Sequence, residues 1–259
     1  MEHIYPAFER GRIMKKELLW ALRDYSYSAL RLQYQDYPDG IISGCRVRTE
    51  GDMLCIAPGL IKCQDFIFLL AEESQVAYAP TNGYTSLKFR LVKKEELADY
   101  TLYRSEFALD ERMERGPGEI EVCRFQLKEG AVLRTGYKDF YDIQTEYDTV
   151  NLAFATWSAA GRNTLSKEVT DYFACKVLEC EKAEEKDVQF AYLLLNGKEA
   201  VNYGILDDYI ARKTGEKRKN LDTAEAFEKL EDILNAIRKG KGTYGKGNAG
   251  TDRRMIIWD

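Results

Sequence analysis

The chain has 259 residues, 45% hydrophobic and 31% charged, with five prolines, the composition of a folded globular protein with one large or two modest domains. Its net charge of −5 argues against a general nucleic-acid binder, whose footprint carries excess Lys and Arg. No stretch approaches the roughly 18 apolar residues needed to span a bilayer, and Met1–Pro6 lacks a basic-then-apolar signal, so no membrane association and a cytoplasmic location are expected. Cysteines at 45, 55, 63, 123, 175 and 180 fit reduced thiols in that compartment.

Residues from Lys15 to about Tyr34 predict a first helix, with Leu18, Leu22, Tyr25, Ala29 and Leu32 recurring at spacings of three and four. It is amphipathic and should pack on something. Pro38-Asp39-Gly40 ends it and opens a β region. From Ile41, apolar or small residues alternate with Arg46, Arg48 and Glu50, the pattern of one strand with a wet face. Gly51-Asp52 turns the chain into Met53–Ile56, apolar on both faces and therefore central. Ala57-Pro58-Gly59-Leu60 suits a type II turn, with Pro58 presetting a negative φ and Gly59 supplying a positive one. Leu60–Cys63 and Phe66–Leu70 continue the meander. Further strands are expected at Val76–Ala79, Tyr84–Val92, Tyr100–Leu109 and Glu121–Leu127, with Leu87, Phe89 and Leu91 facing opposite to Lys88 and Arg90. Seventeen tyrosines suit sheet surfaces first and protein interfaces second.

After about Tyr141 the patterns become helical, over Thr149–Ala159, Ser166–Cys180, Asp187–Leu195 and Glu199–Lys213. A last helix starts near Leu221-Asp222-Thr223, and its Phe227, Leu230, Leu234 and Ile237 form a core stripe. The expected fold is therefore α+β, an N-terminal helix and an antiparallel sandwich or barrel-like module followed by a mostly helical region. The domains read as 1–141, 142–239 and a basic Gly/Lys tail, 240–259, expected to be mobile, with Met255–Trp258 apolar enough to dock on a neighbour.

Chemistry-bearing motifs are sparse. Gly240-x-Gly242-x-x-Gly245 and Gly245-x-Gly247-x-x-Gly250 match the dinucleotide fingerprint in letters, but a helix enters and a polar tail leaves, where a strand and a helix are required. The single histidine, His3, leaves little for Ser-His-Asp or Cys-His chemistry. The cysteines lack a CxxC pair, so no zinc is expected, and no phosphate-loop sequence occurs. Catalytic, cofactor and metal residues are accordingly expected to be absent. Glu95-Glu96, Asp110-Glu111, Glu184-Glu185 and Asp207-Asp208 are paired acids of the kind common on solvated surfaces. Lys217-Arg218-Lys219, Lys241 and Lys246 are the candidate phosphate contacts. Asp39, Gly40, Gly44, Pro58 and Gly59 are the candidate turn residues.

Those turns carry a resemblance. Asp39-Gly40-Ile41-Ile42-Ser43-Gly44-Cys45-Arg46-Val47, followed by Leu54-Cys55-Ile56-Ala57-Pro58-Gly59, resembles the N-terminal modules of bacteriophage tail and baseplate appendage proteins, including those of prophages and contractile tail-like particles. The match covers roughly residues 37–70. It implies a β structure that attaches to the tail and holds a distal domain, and hence a non-enzymatic structural or assembly component. The expected partners are further copies of the chain or other tail and baseplate proteins, and the expected location is the cytoplasm during assembly, then the particle. The alternatives are a nucleic-acid-associated accessory protein using the basic C-terminal segment and an enzyme using a carboxylate pair.

Overall fold

The computed structural model describes residues 10–11, 13–144, 147–218 and 220–240. Helix α1 (Lys16–Gln33) leads into nine strands: β1 (Gly40–Gly44), β2 (Val47–Glu50), β3 (Met53–Ile56), β4 (Gly59–Cys63), β5 (Phe66–Leu70), β6 (Ser74–Ala77), β7 (Tyr84–Glu96), β8 (Thr101–Asp110) and β9 (Glu119–Gln126). Two short strands follow, β10 (Trp157–Ala159) and β11 (Arg162–Thr164), and then helices α2 (Lys167–Leu178), α3 (Glu185–Asn196), α4 (Tyr203–Thr214) and α5 (Thr223–Lys239). The chain is α+β. Its strands form sheets of order β11-β10-β1-β4-β5, β2-β3-β6 and β8-β7-β9. One continuous apolar core runs from Ile41, Ile61 and Phe89 of the strands to Phe173, Phe190 and Phe227 of the helices.

Most elements lie where periodicity puts them, β3 is the central strand of its sheet, and each departure has a specific cause. The alternating run from Ile41 is two strands in two sheets, because Cys45 adopts φ 54° between them and sends β2 elsewhere. The helix expected over Thr149–Ala159 does not form. Asn151 instead exchanges backbone hydrogen bonds with Arg124 at 3.0 and 2.7 Å and its side chain accepts from Ala153 N, an Asx turn that diverts the chain into β10. Strand β10 then pairs with β1 in parallel, Ile41 opposite Trp157, so that sheet is mixed rather than antiparallel. Helix α4 starts at Tyr203 and not at Glu199, since Asn202 caps it by accepting from Gly204 N. The last helix starts as expected, through an Asp222–Glu225 capping box, and Phe227, Leu230, Leu234 and Ile237 are all buried.

The turns around β1 and β4 are set by close backbone approach. Gly44 has φ +68° and a Cβ there would meet Pro58 O at 2.1 Å. At Gly59 no positive φ occurs, so the type II turn is not made. Glycine is required there for space, as a Cβ would lie 2.5 Å from both Cys45 Sγ and Ser43 O.

Candidate functional site

One acid of each pair is held by a basic side chain. In the β8-β7-β9 sheet, Lys88 is fully buried, and its Nζ lies 3.3 Å from both Asp110 and Glu119 and donates to Glu114 O at 2.6 Å. Arg90 pairs with both acids and Arg112 reaches Asp110 at 3.0 Å. Hydrogen bonds from the Arg112 side chain and backbone hold the Asp110 carboxyl far below its ordinary range. The Gly116 amide does the same, less strongly, for Glu119. Such carboxylates stay ionised at neutral pH and fasten the loop between β8 and β9; they are poor proton donors.

Between α3 and α4, Lys213 Nζ lies 3.0 Å from the buried Asp187 and 3.3 Å from Glu184, while Tyr209 donates to Asp187 at 2.9 Å. Asp187 and Glu184 also form the capping box of α3. Glu95 pairs with Lys93, and Asp208 with both Arg212 and Arg218. Arg218, a candidate phosphate contact, is thus tied to an acid; Lys217 is exposed. Lys219, Lys241, Lys246, His3 and all of the tail and its glycine fingerprints beyond Gly240 lie outside the described residues. Asp39 accepts from Gln64 N at 2.9 Å, and Gly40 sits against Thr156 O. Among the described residues no group of three or more His, Cys, Asp or Glu is placed to hold a metal, and no helix is long and apolar enough to cross a membrane.

One acid escaped the sequence reading. Glu168, in the first turn of α2, is pushed up to about 7 by burial, with Arg46 Nε 3.7 Å away and Asp171 nearby. Its position after the Ser166 cap is visible in sequence, but its burial depends on packing against the strands.

The least satisfied surface is α1. Three carbonyls at its exit, those of Tyr34, Gln35 and Tyr37, accept from the buried Lys62 Nζ at 2.9, 3.2 and 2.6 Å. The Tyr34 and Tyr37 hydroxyls donate to Glu199 at 3.2 and 2.6 Å. The C-terminal end is therefore anchored, a cation meeting the negative end of the helix. The body is not covered: none of its 18 residues is buried, and Leu19, Trp20, Leu22, Tyr25, Tyr27 and Leu32 are exposed. A groove of about 580 Å³, lined by Tyr27, Leu30, Phe66, Leu69 and Tyr103 among others, separates one edge of the helix from β5. Contiguous exposed apolar surface is characteristic of contact sites.

No protein-family description matches the chain, and no curated protein matches it. Among solved structures it is similar to the crystal structure of TssK, with TM-score 0.40 and 9% identity over 95% of this chain and 71% of that one. It is also similar to a chain of the baseplate complex from the type VI secretion system, with TM-score 0.38 and 11% identity over 92% and 70%. Likeness at this level is too distant to carry an argument about the role of the chain.

Proposed function

We propose that the protein is a structural, non-enzymatic assembly component of a phage-tail-like particle, working through protein contacts made by α1. The observation that carries the structural role is that α1 is anchored at one end by Lys62 and leaves its apolar face uncovered. Most helix stability in proteins comes from packing of an amphipathic face, so a face left uncovered has its use in an assembly. The paired acids favour the same reading, because Asp110, Glu184 and Asp208 are each held by a basic side chain, Lys88, Lys213 and Arg212 respectively. The particle class rests on the resemblance of residues 37–70, whose glycines sit at the close approaches of β1 and β4. Within the assembly the 1–141 module is the attachment part and 142–239 the part it holds.

The test is composition. Tail-like particles purified from the producing cell are expected to contain the chain at a fixed ratio to the other components. Intact particles lacking it, with the chain recovered only as free protein, would contradict the proposal.

A further inference from the structure

The apolar residues of α1 form a seam of defined geometry. Leu18, Leu22, Tyr25, Ala29 and Leu32 follow one another at spacings of four, three, four and three, the a/d pattern of a coiled coil. At about 100° per residue they fall within about 40° of a single line along the helix. The Tyr27 and Leu30 side, which borders the groove against β5, lies well round the helix from that line. Leu22 is 47% exposed, Tyr25 76% and Leu32 65%; Ala29 is exposed and Leu18 half-buried. The seam therefore points away from the body of its own chain.

The residues flanking the seam say what covers it. Leu19, Ala21, Ser26, Ser28 and Gln33 stand on its two sides, and all are uncharged. The charged residues of the helix, Lys16, Glu17, Arg23, Asp24 and Arg31, occupy the opposite half of its circumference. Pairing with a different chain is ordinarily specified by charges beside the seam, which are missing here. An identical helix laid along this one meets no like charge, brings a stripe of the same spacing, and finds small Ala and Ser side chains that allow close approach. The anchoring of α1 by Lys62 holds the seam in place before contact, which lowers the ordering cost of association.

We infer that α1 is a self-association element: the occupant of its Leu18–Leu32 seam is α1 of a second copy of this chain. This rests on the reading of α1 as a contact surface and names the partner.

Sedimentation equilibrium of the full chain at micromolar concentration tests it. The expected mass is at least twice the 29.8 kDa of one chain. The double variant Leu22→Glu/Leu32→Glu places a charge in the seam of each copy and is expected to weaken association by at least about tenfold. Arg23→Glu, a charge reversal on the already charged side of the same helix, is expected to leave the mass unchanged. The thermal transition of both variants, read by circular dichroism at a dilution where the wild type is dissociated, is expected to match the wild type, because the helix lies outside the core. A wild-type monomer would overturn the inference, as would an oligomer that survives the double variant or is lost equally with Arg23→Glu. A monomer that still enters the particle would remove self-pairing and leave the structural role standing. A self-associating chain absent from particles would do the reverse.

Discussion

Lys62 concentrates much of what positions the outer surface. It is a buried cation with no carboxylate among its described hydrogen-bond partners, which are three carbonyls at the exit of α1. Lys62→Met leaves those acceptors without their donor and is expected to destabilise by about 1.5–3 kcal/mol in urea. The loss should appear with increased amide exchange at the end of α1; an unchanged denaturation midpoint would contradict it. Gly59→Ala is expected to cost more than about 1 kcal/mol, through overpacking of a Cβ against Cys45 and Ser43. A variant as stable as wild type would show that β4 yields there.

Glu168 gives the protein a pH dependence of definite sign. Its carboxyl is raised from an ordinary 4.5 to about 7 in the folded chain, so the folded state holds the proton more tightly than the unfolded one. Stability from this group is greatest below the unfolded value and is lost as pH rises from about 4.5 towards about 7. Asp110 and Glu119, both lowered, act oppositely, their contribution being lost as pH falls below the ordinary carboxylate range. Glu168→Gln cannot ionise, so it is expected to raise the melting temperature at about pH 8 and to change it little at about pH 5. Equal effects at both values would show that Glu168 does not titrate in that window.

Among the elements, α3 and α4 are joined by the most demanding contact, the Asp187–Lys213 pair with Tyr209 and Glu184. Lys213→Met strands the buried Asp187 charge and is expected to cost about 3–5 kcal/mol, whereas Lys213→Met/Asp187→Leu is expected to recover much of that loss. A double variant no better than the single one, by chemical denaturation, would place the contribution of the pair in its hydrogen bonds.

Element by element, the fold is legible in the sequence where a pattern is local. The 4-3-4-3 stripe of α1, the stripe of α5 with its capping box, and the alternation of Leu87, Phe89 and Leu91 need only neighbours along the chain. It failed where distant residues decide. Lys88 shares the polar face of β7 by alternation, yet it is buried because Asp110 and Glu119 arrive from β8 and β9. Strands β10 and β11 have three residues each, too short for any period to show, and a hydrogen-bond exchange with Arg124 precedes them. Periodicity also says that α1 has an apolar face without saying whether the chain covers it.

In the whole molecule, the strands and the four later helices close around a common core, and α1 stands apart with its apolar side uncovered. On the proposed function, the fold is complete before its contacts are made. Contact through α1 is tested by a photo-crosslinking amino acid placed singly at Leu22 or Leu32, with Val132 and Tyr192, both exposed, as comparison sites. Irradiation of cells assembling the particle is expected to give discrete adducts from positions 22 and 32 and none from 132 and 192. No adduct from α1, or adducts from the comparison sites alone, would contradict the account.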